Sequence, residues 1–484
     1  MEKVAKTNLR FLSDEAISRI HEASLDLLEN HGFKLNHKRG REMLAEAGAD
    51  VDDETLIVKV PRRIVENCLA TLPSKVVLGG RNSKYDVVLD ANNGKTYGRT
   101  LTGGEGYIDF KTGAYRKVLL QDSKNWALIV DALDNIDLCT SPYPHDVHLD
   151  TRDILVLKTM LEYTEKPAVV QPYGYDNLKY MIDLALTISG SKEELKNRPL
   201  FAALTSPVSP LCYNQYAVDV IMLAGEYGIP VELCSMVNAG ATGPVTISGL
   251  LLLTNAEVLA GIVISQIANP GAPLNYTPRS VILDMSSGSG LEAATENALI
   301  AAGEAQLARE LYHMPSDLYG PVTDTLLVDG QSTIERSFNS LITGLAGADI
   351  LASAGNIETS YSVSLLQLVI DNEIIGMAKR AIRGIDFNED TLGLDVIKRV
   401  GFDGNFLIDE HTLRHFKTEY LRHKIFNRKP REVWKDEGKK SMEVLATEKL
   451  EDLLQNHQPV GLPESTLQEM EEIMNEAQTK VRVK

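Results

Sequence analysis

The chain repeats one small unit eight times. A short β-rich run is followed by a longer stretch with apolar residues at helical spacing. The runs fall at 96–103, 136–140, 168–171, 200–205, 231–235, 273–276, 316–319 and 349–352. Intervals of roughly 30 to 45 residues suit one strand plus one long helix. Parallel pairing of successive strands requires such a crossover, and eight crossovers close a sheet on itself. The expected fold class is therefore α/β, a (β/α)8 TIM barrel. An open doubly wound sheet is the architectural rival, but no G-x-G-x-x-G follows the first run.

The repeat occupies 96–382, which leaves an N-terminal extension at 1–95 and a C-terminal region at 383–484. The extension reads as amphipathic helices and short strands. Ser13 is an N-cap candidate, Gly32 a helix stop, and Pro61 opens a further helix. "YIDFKTGAYRKV" at 107–118 alternates around Thr112-Gly113 and reads as a β-hairpin. The C-terminal region is helical and strongly charged, and its last amphipathic helix, 465–481, is expected to pack on the barrel.

A formal net charge of -18 repels phosphate backbones and anionic headgroups, so neither a nucleic acid nor a membrane is an expected partner. The apolar stretch 247–267 is interrupted by Asn255, Glu257 and Gln266, and reads as a buried helix. The first residues lack an apolar leader. The four cysteines form no C-x-x-C, as expected of reduced thiols in the cytoplasm.

In such barrels the chemistry sits where strands end and helices begin. Tyrosines concentrate there: Tyr143, Tyr173, Tyr175, Tyr276 and Tyr319, with Tyr361 close behind. Converging aromatic faces hold a quaternary ammonium, which cannot donate hydrogen bonds, by cation–π attraction. A tyrosine also suits any strand end, so each one singly has a bland reading. Small residues at the same level, Gly103-Gly104, Ser206-Pro207, Gly240 and Gly320-Pro321, leave a wide mouth that a bulky planar partner can approach. They equally suit tight strand-to-helix turns.

Three other motifs weigh less. "SSGSGLEAATEN" at 286–297 is a Gly/Ser loop running into a helix, open to phosphate or to simple capping. His411 and His415 stand one helical turn apart, but in charged surroundings that read as a solvated helix face; no metal site is expected. "DVHLDT" at 146–151 is one residue from D-x-H-x-x-G, the loop that offers a histidine to cobalt. Thr151 stands where glycine is required, so His148 is not expected to ligate cobalt.

"GGEGYIDFKTGAYRKV" at 103–118, "QPYGY" at 171–175, "ALTSPVSPL" at 203–211 and "GLAGADILASAGNIETSYSVSLLQLVIDNEIIGM" at 344–377 resemble the trimethylamine:corrinoid methyltransferase family. The likeness runs over nearly the whole chain and implies the same barrel. It further implies methyl transfer to the Co(I) corrinoid (cobalamin) of a separate carrier protein, with no covalently bound cofactor. The founding branch carries pyrrolysine near the end of the seventh strand. Here that place holds Tyr319-Gly320-Pro321, which implies the branch without pyrrolysine. Its members demethylate quaternary amines such as glycine betaine, proline betaine, carnitine or γ-butyrobetaine.

On that reading Tyr143, His145, Tyr173, Tyr276, Arg279 and Tyr361 are the substrate-binding candidates. Gly103, Gly104, Ser206 and Gly240 face the corrinoid, and Tyr319, Gly320 and Glu358 position the reactants. A betaine also needs a carboxylate partner, for which His145, Arg279, Arg99 and backbone N–H groups near Gly240 or Gly355 are candidates. A homo-oligomer is expected. The alternatives from other classes are a phosphate-binding barrel lyase or aldolase, and a betaine-binding protein without turnover.

Overall fold

Short runs of β-branched and aliphatic residues pair side by side because each following helix carries the chain back to the start of the next strand. A computed structural model describes residues 9–482 apart from Asn93. The barrel strands are β1 (Tyr97–Thr100), β2 (138–139), β3 (Ala168–Val170), β4 (Phe201–Thr205), β5 (Val231–Leu233), β6 (Leu274–Tyr276), β7 (Asp317–Tyr319) and β8 (Ile350–Ala354). All neighbours are parallel, and β8 pairs back onto β1, so the sheet closes. The helices that follow them are α1 (Leu120–Ala132), α2 (Arg152–Tyr163), α3 (Tyr175–Ser189), α4 (Gln215–Glu226), α5 (Ile247–Ala268), α6 (Thr295–Gln306), α7 (Gly330–Ala346) and α8 (Leu365–Arg383). The fold is a (β/α)8 barrel.

One strand is thinner than the sequence suggests. The expected run 136–140 contributes only single bridges, Arg99 with Leu138 and Cys139 with Ala168. Threonine hydroxyls stand in for the missing ladder. Thr140 N donates to Thr100 Oγ1 at 2.7 Å, and Thr140 Oγ1 donates to Thr100 O at 3.0 Å. Pro142 and Pro144 have no N–H with which to extend it.

The two ends of the barrel are finished differently. At the strand starts, a hairpin of Lys75–Leu78 and Val87–Asp90 packs Val76, Leu78, Val87 and Leu89 against Tyr97, Leu138, Val169 and Ile350. At the strand ends, the expected hairpin forms from Gly106–Ile108 and Tyr115–Lys117. It joins the pair Asn356–Ile357 and Ser362–Val363 from the β8–α8 connection.

Ser13 caps the first helix, Asp14–Asp26, by accepting from Ala16 N. That helix and Arg62–Ala70 pack on α5, which explains why α5 is apolar nearly all round. It is the one helix among the described residues long and apolar enough to cross a membrane, and 78% of that stretch is buried inside the fold. The terminal helix Glu464–Lys480 buries Met470, Met474 and Ala477 and lies on α3.

Candidate functional site

Strand alternation decides which side chains reach the lumen. On β6, Asn275 points inward and donates to Glu232 Oε1 of β5 at 2.8 Å. Its neighbour Tyr276 must therefore point outward. The Tyr276 hydroxyl donates to Asn255 Oδ1 on α5 at 3.0 Å, and its ring stacks on Tyr312. Tyr276 thus belongs to the strand–helix core, which corrects its assignment to the substrate site.

Inside the barrel lies a buried charged layer. Asp317 of β7 sits between Arg99 of β1, whose Nε is 2.6 Å from its carboxylate, and Arg279, which follows β6. Arg279 also donates to the Asp317 and Pro278 carbonyl oxygens. Its guanidinium is therefore committed to its own chain, and it is not a free carboxylate hook. Burial pushes the Glu232 carboxyl up to about 7, with the nearby Asp317 adding to the shift.

Above this layer stands Tyr319, at the inward end of β7. The Arg279 guanidinium lies 5.0 Å from its ring centre, and its hydroxyl donates to Glu292 Oε1 at 2.9 Å. The other Glu292 oxygen accepts from Ser360. Burial pushes Glu292 up to about 7. Ser360 belongs to the turn 358–360, where Glu358, Thr359 and Ser360 all have positive φ, 58°, 49° and 63°. Three consecutive left-handed residues without a glycine are strained, and such strain gathers at functional sites. The turn is held by Glu358 N to Thr325 O, Thr359 N to Thr323 O and Ser362 Oγ to Glu358 Oε2.

Across the mouth, Tyr143 and Tyr173 do meet, edge to face at 5.9 Å. The cation against both rings is the chain's own Arg152, 5.0 and 5.8 Å from their centres, and Arg152 Nε donates to the Tyr173 hydroxyl. Arg152 also approaches Glu105, which lies 3.7 Å from His145 Nε2. A carboxylate so close makes His145 a poor receiver for a second anion. Tyr361 is 72% exposed, with its carbonyl pinned by Glu105 N and Gly106 N.

The small residues divide. Gly240 is exposed at φ +86°, and Gly103, at φ +81°, lies against the Tyr143 ring; both belong to the rim. Gly104 and Gly320 are buried. A Cβ on Gly104 would meet Val363 at 2.6 Å, and one on Gly320 would meet Leu351 at 2.7 Å. Close packing explains both, so neither faces a ligand. Ser206 is half-buried beside the Cys234 thiol. Glu257 of α5 braces the β4 and β5 ends by accepting from Ser209, Leu211 N and Ser235.

The Gly/Ser loop is the tip of a hairpin, Val281–Leu283 with Gly290–Leu291, and not a helix start. Its donors are taken by Asp284, which accepts from Ser286 N and from the Ser286 and Ser287 hydroxyls. An anion finds a carboxylate there, which removes the basis for the phosphate-binding lyase. His411 and His415 gather with Asp390, their ligand atoms within 4.8 Å. Arg414 donates to the same carboxylate at 2.7 Å, so its charge is already balanced. His148 is exposed in the β2–α2 loop.

Asp317, Glu292, Ser360 and Arg152 were absent from the candidates read off the sequence. The available signal was a charge inside an apolar strand: Glu232 in "VEL" and Asp317 in "SDLY". Seven of the eight strand-to-helix connections, and the first residue of α3, also expose a large apolar side chain, from Leu119 at 40% to Met285 and Tyr361 at 72%. Leu149, Tyr175, Val208, Met236 and Leu327 stand between them. Such a ring marks a docking face.

Residues 2–481 match the family described as Trimethylamine methyltransferase (MTTB). The chain is 35% identical over 479 residues to the "Trimethylamine methyltransferase MttB" of Desulfitobacterium hafniense, covering 98% of this chain and 95% of that protein. It is 30% identical over 456 residues to a "Glycine betaine methyltransferase" of Desulfitobacterium hafniense, covering 93% of each. Its fold is similar to that of the Methanosarcina barkeri monomethylamine methyltransferase (TM-score 0.53, 10% identity, 99% and 89% of the chains covered). With the match spanning almost every residue, the chain belongs to the trimethylamine methyltransferase family.

Proposed function

We propose that this enzyme takes a methyl group from a quaternary amine, glycine betaine or a close analogue, and delivers it to the reduced corrinoid of a separate carrier protein docked over the barrel mouth. The reading places the chain in the branch without pyrrolysine, in keeping with its ordinary residues at Tyr319-Gly320-Pro321. The observation that carries it is the charge gradient along the barrel axis. Two arginines, Arg99 and Arg279, share the carboxylate of Asp317 in the lumen, where the one other carboxyl of that layer, Glu232, is pushed up to about 7 by burial. The mouth above them carries Glu358, with Glu292 pushed up to about 7 by burial and Glu105 set against Arg152 and Lys117. A zwitterion enters such a field with its carboxylate inward and its onium outward, where the incoming partner meets the methyl group.

The corrinoid supplies a nucleophile that accepts the methyl group in line. The residues present fit such a visitor: seven of the eight connections expose a large apolar side chain, and Gly240 and Gly103 keep the rim's backbone low. The protein's own task is alignment and exclusion of water. The departing tertiary amine keeps the electron pair of the broken C–N bond and leaves neutral, so no proton need move. Tyr319, fixed by Glu292, forms one wall, and the turn 358–360 another.

Glu292 also supports a second reading. A carboxyl pushed up to about 7 retains a proton in the neutral range and can give it to the nitrogen of a free tertiary amine, so that the secondary amine leaves neutral and Glu292 is left as the carboxylate. Incubation with Co(I) corrinoid and either glycine betaine or trimethylamine separates the two. The first reading expects dimethylglycine with methylated corrinoid, and trimethylamine left intact. Dimethylamine formation with glycine betaine untouched overturns it.

A further inference from the structure

After α8, residues 385–421 leave the barrel as an arm of short helices, Glu389–Leu392, Leu394–Val400 and Glu410–Glu419. Its far end is tied back to α8, where Arg380 Nε donates to Glu419 O and Arg383 Nη1 to Thr418 O. Between those ends the arm has no apolar core. Ile385, Phe402, Leu407 and Ile408 are 74% exposed or more, and Gly393 is the one buried residue of the segment. A unit of fewer than about 40 residues without a core is ordinarily stapled by a disulfide or a metal. The arm contains no cysteine.

What gathers at its centre is polar. Asp390 of the first short helix receives three side chains from the third. His415 Nε2 lies 2.9 Å from Asp390 Oδ2, His411 Nε2 lies 2.8 Å from Asp390 O, and Arg414 donates to Asp390 Oδ1 at 2.7 Å. The two imidazoles stand one helical turn apart, with ring centres 4.4 Å from each other. Gly393 packs on this cluster, and a Cβ there would stand 3.6 Å from His411 Nε2. Among the described residues this is the one place where three potential metal ligands come together, their ligand atoms all within 4.8 Å.

We propose that His411, His415 and Asp390 form a zinc site that staples the arm. Imidazole nitrogens and a carboxylate oxygen are donors that suit this cation. Tetrahedral ligands at about 2.0–2.2 Å stand about 3.4 Å apart, so small rotations of surface side chains close the set. Each imidazole then presents its Nε2 lone pair and keeps its proton on Nδ1. Arg414 holds only Oδ1. It balances the carboxylate while the metal is away, and orients it when Oδ2 turns to the cation. The cleft favours a cation further, because Glu389, Asp395 and Glu410 also line it while its Arg399 is paired with Asp409 at 2.8 Å. Water takes the fourth position, which makes the site weaker than a closed four-ligand one. All three ligands belong to the arm and none to the barrel mouth, so the metal serves structure and its test needs no activity.

Untagged full-length protein, stripped with EDTA, is titrated with Zn2+ by calorimetry. One zinc per chain is expected, with half-saturation on the order of 1 μM. His411→Ala and His415→Ala should each weaken it by at least about tenfold. Because a variant can lose the arm's own structure, two further readouts use the wild-type chain. Zinc should slow tryptic cleavage at Lys398 and Lys417, both exposed in the arm, relative to the stripped protein. Co2+ in place of zinc should give the visible bands of a four-coordinate nitrogen and oxygen site without thiolate charge transfer. Binding seen only at millimolar zinc overturns the proposal. So does an affinity that the two alanine substitutions leave unchanged, a thiolate band from one of the four cysteines, or cleavage indifferent to zinc.

Discussion

The Tyr319 hydroxyl donates to Glu292 Oε1 at 2.9 Å, and this bond joins the seventh strand to a carboxyl that burial has pushed up to about 7. Tyr319 also has the Arg279 guanidinium against its ring, so one side chain links the buried charged layer to the mouth.

The sign of the resulting pH dependence is fixed. Below about 4.5, the ordinary value, Glu292 is protonated in both folded and unfolded chains. Between 4.5 and about 7 the unfolded chain gives up the proton while the folded one keeps it, so stability falls as pH rises, by roughly 3 kcal/mol in all. Above that range the contribution is flat. Glu292→Gln should remove this fall, which denaturant titrations at pH 5 and pH 8 would detect. If ionised Glu292 faces the onium, kcat/KM for the quaternary amine should rise through pH 7 in the wild type and stay level in the variant. A profile unchanged by the substitution would show that the carboxyl plays no part in binding.

Tyr276 and Tyr319 end adjacent strands but face opposite ways, so their phenylalanine variants should part company. Tyr276→Phe loses a hydrogen bond to Asn255 in the strand–helix core. It should cost about 1 kcal/mol of stability and leave kcat/KM alone. Tyr319→Phe removes a donor from Glu292, raises that carboxyl's pKa further and should shift the pH profile upward. Equal kinetic effects from the two variants would refute the inward–outward assignment.

Arg336 and Asp371 form a fully buried pair at 2.7 Å between α7 and α8. Arg336 also donates to the Pro321 and Asn356 carbonyl oxygens, while Asp371 accepts from Gly355 N. The pair thereby ties the β7 and β8 connections to the helix layer below the mouth. Arg336→Leu strands the Asp371 carboxylate without a cation and should cost about 3–5 kcal/mol. Leu at 336 together with Asp371→Leu should recover much of that stability but not the activity, since the loop carbonyls stay unanchored. Calorimetry and initial rates on both variants check this.

The barrel was legible because parallel strands buried on both faces must be short and apolar, and each needs a helix to return. Its second strand was legible only as a position, since Thr100 and Thr140 replace ladder bonds with side chains. The alternation along "LNYT" was visible too, but not its phase. Nothing near Tyr276 says whether it or Asn275 faces inward until Glu232, 43 residues away, supplies the partner. The same distance problem hid Glu292, which meets Tyr319 across 27 residues and Ser360 across 68. The tyrosine count at the strand ends could not reveal that Tyr276 faces the helices, or that Arg152 already lies against both Tyr143 and Tyr173.

The left-handed turn gives the sharpest separation of stability from function. At Thr359, φ is 49°, a conformation that costs a side chain about 1–2 kcal/mol and a glycine almost nothing. Thr359→Gly loses the hydroxyl's bond to Asp324 Oδ1 at 3.1 Å but relieves the strain. The two effects are similar in size, and the unfolded chain also gains freedom, so stability should change by less than about 1 kcal/mol. Activity should fall much further, because the tight turn is what presents Ser360 to Glu292 and Glu358 to the mouth. The measurement is thermal unfolding beside kcat/KM on the same preparation. Retention of full activity would mean that the strained backbone serves the hairpin Asn356–Ile357 and Ser362–Val363 alone. Ser360→Ala then provides the independent check, since it removes a donor from Glu292 while leaving the backbone as it is.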